Sequence, residues 1–144
     1  WAPRLNRGGG RVIRELGLRA ATDITGFGLG GHAMEMARAS RVTVRLEAER
    51  IPLMNRVLDY AGDGLVPGGS LANKRFCACD AADNVPDLLL SAVFDAQTSG
   101  GLLLAVPEER LEQAFGLLAE QDEGAWLVGE VLPERLDGKA LEIR

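Results

Sequence analysis

Apolar and polar positions alternate most clearly over residues 41–47. Val42, Val44 and Leu46 point one way, and Thr43, Arg45 and Glu47 the other. A period of two predicts a half-buried strand. Before it, over residues 29–39, Leu29, Ala33, Met36 and Ala37 recur at helical spacing while Glu35 and Arg38 point elsewhere, which predicts a helix. Val12, Ile13 and Leu16 form the apolar side of a helix ending near Leu16, with Gly17 as its stop. Residues 18–22 are short and apolar and read as a strand. Residues 23–28 read as a polar, glycine-rich turn into the helix at Leu29.

Further along, Pro52 opens a short predicted helix to about Tyr60, with Met54, Val57 and Leu58 inward. Residues 62–73 read as a loop around Pro67-Gly68-Gly69, and residues 74–84 have no clear period. Residues 87–94 predict a helix with Pro86 near its start. Residues 102–106 are uniformly apolar, so both faces of that strand should be buried, at the centre of a sheet. Residues 107–121 give the strongest helical pattern, with Leu111, Ala114, Phe115 and Leu118 as its core stripe and Glu108 and Glu109 at the positive end of its dipole. Residues 126–132 and 139–143 read as strands joined by an Asp137-Gly138 hairpin turn. Strands and helices intermingle without a strict βαβ rhythm, which favours an α+β sandwich with a mixed sheet.

A chain of 144 residues fits one domain and can bury a core without disulfides or a structural metal. The net charge of −5 argues against a nucleic-acid partner, whose binding surface should be basic. No apolar run approaches the roughly 18 residues of a membrane span. Trp1 begins no charged-then-apolar leader and the chain lacks an initiator Met, so a fragment or processed product is expected. The CxC spacing of Cys77 and Cys79 is too short for the usual zinc knuckle and no second pair exists. They read as two small side chains in or near a core, with a redox or metal role as the alternative. A cytoplasmic location is expected.

Three segments carry candidate chemistry. Residues 22–32 read Thr-Asp-Ile-Thr-Gly-Phe-Gly-Leu-Gly-Gly-His: a carboxylate at a strand end, then glycines, then a helix. Free N–H groups at a helix start attract anions, and a carboxylate beside them can hold Mg²⁺, which bridges phosphate oxygens. The plainer alternative is that Asp23 or Thr25 only caps the helix. Residues 95–101, Asp-Ala-Gln-Thr-Ser-Gly-Gly, make a polar turn or a binding loop, since Thr98 and Ser99 can bond neighbouring backbone. Residues 67–73, Pro-Gly-Gly-Ser-Leu-Ala-Asn, read as a turn with Ser70 capping a helix. His32, the one histidine, is a ligand or proton carrier, or a hydrogen-bonded residue near a helix start. There is no GxxxxGK[ST] loop and no dinucleotide fingerprint in a strand–helix setting. A single His leaves no convincing Ser/His/Asp set.

In this order, TDITGFGLGGH, PGGSLAN and DAQTSGGLL resemble the carboxy-terminal half of the selenophosphate synthetases (selenide, water dikinases). The similarity runs from about Leu5 to Arg144 and includes Gly129-Glu130-Val131. The resemblance implies an α+β fold, a layered α/β sandwich with a mixed central sheet and partial ferredoxin-like topology. Such a fold is PurM-like, as in the carboxy-terminal domains of the aminoimidazole ribonucleotide synthetase superfamily. It implies that residues 1–144 are a single domain of a two-domain enzyme whose amino-terminal ATP-binding and catalytic domain is absent. The implied reaction turns ATP, selenide and water into selenophosphate, AMP and orthophosphate, with Mg²⁺. The implied partners are ATP, selenide, the chain's own amino-terminal domain and, at full length, a second copy in a homodimer.

Carried over residue by residue, the metal-holding carboxylate is Asp23, and Thr22, Thr25, Gly26 and Gly28 shape the adjoining cofactor-binding loop. No catalytic residue is assigned, because Cys77 and Cys79 do not match the family's catalytic cysteine. One half-site with one carboxylate cannot neutralise a transferring phosphoryl group, so the chain alone is expected to fold without turning over. Ala96 stands where the family commonly has Pro, which loosens a turn and leaves every polar group in place. Aminoimidazole ribonucleotide synthetase, thiamine-phosphate kinase and a hydrogenase maturation factor are alternatives whose first glycine motifs differ. A non-catalytic nucleotide-binding module is the alternative from another class.

Overall fold

The first helix, α1 (Arg7–Glu15), shows how local chemistry sets boundaries in this chain. Gly17 takes a left-handed φ of 59°; its N–H bonds the Arg14 carbonyl and the Leu18 N–H bonds that of Ile13. That pair of bonds closes the helix and satisfies its last carbonyls. The computed structural model describes residues 5–77 and 79–144, so the reading of Trp1 as lacking a leader pattern lies outside the described residues. After α1 come β1 (Ala21–Asp23), α2 (Gly28–Ser40) and β2 (Val42–Leu46). Then follow α3 (Val57–Gly62), α4 (Gly68–Phe76), β3 (Asp80–Ala81), α5 (Asp87–Val93) and β4 (Leu102–Leu104). A 3₁₀ turn (Glu108–Arg110) leads into α6 (Leu111–Ala119), and β5 (Gly129–Pro133) and β6 (Leu141–Ile143) close the chain.

The strands form a four-stranded mixed sheet in the order β3-β6-β2-β5 and a separate antiparallel ribbon of β1 and β4. The expected α+β sandwich with a mixed sheet is therefore what the structure shows. In the larger sheet β2 runs antiparallel to β5 and parallel to β6, which runs parallel to β3. Its alternation is as predicted on the apolar side: Val44 and Leu46 register with Leu141 and Ile143, and all four are buried with Ala33, Met34 and Ala37 of α2. The opposite side departs from expectation. Thr43 is fully buried, because the segment before β6 crosses over it. Its hydroxyl donates to the Lys139 carbonyl (3.2 Å) and accepts the Arg135 N–H (3.3 Å).

Several expectations are corrected. Residues 102–106 do not form a central strand. Among the described residues β4 pairs only with β1, and its two faces enter two different clusters: Leu103 joins the main core, while Leu104 packs against a second one built from Val12, Leu16, Ala114 and Leu117. Asp137-Gly138 does turn, with φ 74° at Gly138, but it makes no β5–β6 hairpin because β2 lies between those strands. Residues 52–54 are not helical, and Met54 and Leu58 are exposed rather than inward. In α6 Ala114 is buried as expected, but its larger companion in the core is Leu117, and Phe115 is exposed. Residues 68–73 are helix, not loop.

Candidate functional site

β1 ends at Asp23, whose side chain is exposed beside the β4 partner Leu102. Thr22, half-buried, pairs with Leu103. The chain then turns. The Ile24 N–H bonds the Gly101 carbonyl and the Gly100 N–H returns to Ile24, so the third glycine segment is stitched to the first (both 3.0 Å). The Thr25 carbonyl accepts from Gly28 N–H and from Gln97 N–H, each at 3.0 Å. Its hydroxyl lies 3.1 Å from His32 Nε2, and the Glu35 carboxylate lies 3.1 Å from His32 Nδ1. Phe27, exposed, stands with its ring centroid 5.6 Å from that of the buried His32.

Gly28 explains why the turn needs glycine. Its φ is 69°, and a Cβ there would sit 2.6 Å from the Asp95 carbonyl oxygen and 2.8 Å from the Phe94 carbonyl carbon. Gly30 in turn faces the Phe94 ring, where an added Cβ would come within 2.5 Å. The start of α2 is thus packed under the α5–β4 connection. The accessible part of the motif is Asp23, Gly26 and Phe27, with Thr22 and Thr25 half-covered at its edge.

The second segment joins the same cluster. Ser70 does not cap α4, whose N-cap is Pro67; its buried hydroxyl donates to the Asp95 carboxylate, which also accepts Gln97 Nε2 (3.1 Å). Asn73, also buried, donates to the Gly26 carbonyl (2.8 Å) and the Phe94 carbonyl (3.1 Å). The three segments are therefore one assembly, which reading them separately as turns did not reveal. The signal available in sequence was their common polar, glycine-flanked character.

The described residues bring no three His, Cys, Asp or Glu side chains together as a metal-ligand group. The Thr22 hydroxyl donates to the Asp23 backbone carbonyl (3.2 Å), but the Asp23 carboxylate accepts no hydrogen bond and makes no ion pair among the described residues, which leaves both its oxygens to solvent or a ligand. An open groove of about 310 Å³ runs between residues 19–22 and α2, lined by Arg19, Thr22, Glu35 and Ser40 among others, and Asp23 is not among its lining residues. Cys77 is buried and Cys79 half-buried, and burial pushes both thiols above their ordinary pKa, which keeps them protonated. No helix among the described residues is long and apolar enough to cross a membrane.

Residues 10–139 match the family described as AIR synthase related protein, C-terminal domain. The chain belongs to that family. Among relatives of this AIR synthase-related domain, the selenide, water dikinase of Nitratidesulfovibrio vulgaris (strain DP4) is 53% identical over 133 residues, covering 91% of this chain and 38% of that protein. The chain thus spans well under half the length of that relative. Among solved structures, tt0281 from Thermus thermophilus superposes with a TM-score of 0.61 at 20% identity, covering 92% of this chain and 34% of its own. Thiamine-monophosphate kinase from Stenotrophomonas maltophilia K279a gives 0.56 at 15% identity, covering 91% and 32%. At such identities these two establish the shared fold alone.

Proposed function

We propose that the chain is the carboxy-terminal domain of a cytoplasmic selenide, water dikinase, which makes selenophosphate, AMP and orthophosphate from ATP, selenide and water. The observation that carries this reading is the 53% identity to a relative of that name across 91% of the chain, including all three interlocked segments. In this reading Asp23 supplies one oxygen ligand to Mg²⁺ at a cleft closed by the amino-terminal domain. An exposed carboxylate free of hydrogen-bonding partners suits a cation that keeps several waters and takes its other ligands from phosphates. When bound, Mg²⁺ would neutralise phosphate charge. Thr22, Thr25, Gly26 and Gly28 form the loop that holds Asp23 to the face where phosphates enter.

One carboxylate does not make a phosphoryl-transfer site, so the remaining ligands belong to the domain that completes the longer enzyme. Met54, Leu58, Leu65 and Leu71, exposed on and around α3 and α4, are apolar surface of the kind a further domain or a second copy covers.

A chimera tests the reading. The residues that precede the matched region in the Nitratidesulfovibrio relative are joined to this chain, and ATP- and selenide-dependent AMP release is measured. The chimera should turn over, the chain alone should not, and Asp23→Asn in the chimera should lower the rate by about 100-fold or more. A folded but silent chimera beside an active parent relative, or full activity after Asp23→Asn, would overturn it.

A further inference from the structure

The 67–73 segment contributes no exposed polar side chain to the Asp23 face. Ser70 is 1% exposed and Asn73 8%; the Ser70 hydroxyl is spent on Asp95 and the Asn73 amide nitrogen on Gly26 and Phe94. We infer that Asn73 is a positioning residue: its side-chain amide clamps the loop that follows Asp23 against the α5–β4 connection, and the segment it belongs to acts on the site without touching a ligand. The inference rests on the metal–phosphate reading of residues 22–28 for what is being positioned, though not for the clamp itself.

The geometry is specific to an amide. Gly26 and Phe94 each present a carbonyl oxygen to Asn73 Nδ2, from chain positions 47 and 21 residues away. A group with two N–H donors on one nitrogen can serve both acceptors at once. An Asp side chain of the same shape would turn a carboxylate oxygen onto two carbonyl oxygens, and Ala would leave the buried Phe94 acceptor unpaired and release the Gly26 carbonyl to solvent. The second link, from the Ser70 hydroxyl to Asp95, comes from the same helix one turn earlier, so α4 grips the connection at two points. Between the grips, Gln97 N–H and Gly28 N–H converge on the Thr25 carbonyl. The loop downstream of Asp23 is therefore held from both sides by hydrogen bonds that begin at Asn73 and Ser70.

Amide hydrogen exchange on the 144-residue chain reads the clamp directly, with Gly28 and Gln97 as reporters and Leu16 and Glu120, at the C-terminal ends of α1 and α6, as references. In Asn73→Ala the reporters should exchange about tenfold faster or more, with the references unchanged. Unchanged reporters, or acceleration of reporters and references by one common factor, would overturn the clamp. Should Asn73→Ala fail to fold, Ser70→Ala, which removes one grip only, should show a smaller acceleration confined to the same reporters, and its absence would count equally against the proposal.

The positioning role is read separately by Mn²⁺ as a paramagnetic stand-in for Mg²⁺. In the chimera described above, where the joined domain supplies the remaining ligands, Mn²⁺ should broaden the Thr25 and Gly26 amide signals of the parent and leave them sharp in Asp23→Asn. In Asn73→Ala the Mn²⁺ concentration for half-broadening should rise about tenfold. An Asn73→Ala titration matching the parent would sink the positioning role while the Asp23 reading stands. Broadening that persists unchanged in Asp23→Asn, or none in the parent, would sink the metal reading and the positioning role with it, while the exchange result would still decide the clamp.

Discussion

Asp23 and Gly28 stand five positions apart in one motif and answer to different physics. The carboxylate of Asp23 is exposed and unpaired among the described residues, so its replacement should cost the fold little and the site much. Gly28 is buried, left-handed and pressed against the Asp95 and Phe94 backbone. An added methyl must push carbonyl groups that are themselves hydrogen-bonded, and the backbone conformation is unfavourable for any residue with a Cβ. Gly28→Ala should therefore lower unfolding free energy by about 3 kcal/mol in urea titrations. Gly10 is the contrast: it lies within α1 with open space where a Cβ would go. Gly10→Ala should raise stability by about 0.5–1 kcal/mol, because alanine loses less backbone entropy in a helix. Two substitutions of identical chemistry should thus move the midpoint in opposite directions. A Gly28→Ala chain as stable as the parent would mean that the glycine motif has no packing role.

At the scale of elements, α6 gives the sharpest comparison between pattern and packing. Leu111, Ala114, Phe115 and Leu118 make the more regular stripe, yet α6 turns Ala114 and Leu117 into the cluster with Val12 and Leu16 of α1. Leu117→Ala should cost about 2–4 kcal/mol by chemical denaturation and Phe115→Ala under about 1 kcal/mol. The reverse order would restore the stripe read from sequence. The other differences have similar origins. The helix 28–40 and strand 42–46 were legible because their apolar side chains recur at the period of the element, in β2 even though Thr43 on the opposite side is buried too. An apolar run such as 102–104 looks the same whether its two faces are covered by flanking elements of one sheet or, as here, by two separate clusters. α4 escaped notice because its buried positions are Ser70 and Asn73, which hydrophobic periodicity does not register. Asp137-Gly138 states a turn correctly but cannot state that β2 will come between its strands. The position of Asp23 at a strand end was readable. The meeting of three segments across separations of 25 and 47 residues was not, because spacing carries no information about such contacts.

Across the whole molecule, the side of the sheet opposite α2 is held by charge. Asp80 of β3 meets Arg135 (2.7 Å), Arg144 (2.8 Å) and Lys139 (3.1 Å), and Glu142 of β6 meets Arg45 (2.9 Å) and Arg135. Arg45 continues to Glu130 of β5 at 2.9 Å, so one network crosses all four strands. Hydrogen bonds from Arg144 and then Lys139 hold the Asp80 carboxyl well below the ordinary carboxylate range. Burial works to raise Glu142, and the hydrogen bonds from Arg45 and Arg135 more than offset it, so its pKa is lowered too. A lowered folded pKa means that the unfolded chain takes up these protons first as pH falls. The stabilisation is complete above the unfolded carboxyl pKa, near about 4, and drains away as pH drops through and below that value. Melting temperature should therefore be flat on the neutral side and fall steeply below about pH 4. Asp80→Asn should melt well below the parent at about pH 7, and the gap should narrow progressively as pH falls below about 4, where the unfolded chain takes up its proton before the folded one does. Because Asp80 and its partners are partly solvated, about 0.5 M salt should shrink the neutral-pH gap without closing it. A gap between parent and Asp80→Asn that stays constant from neutral to strongly acidic pH would show that the residue acts through shape rather than charge.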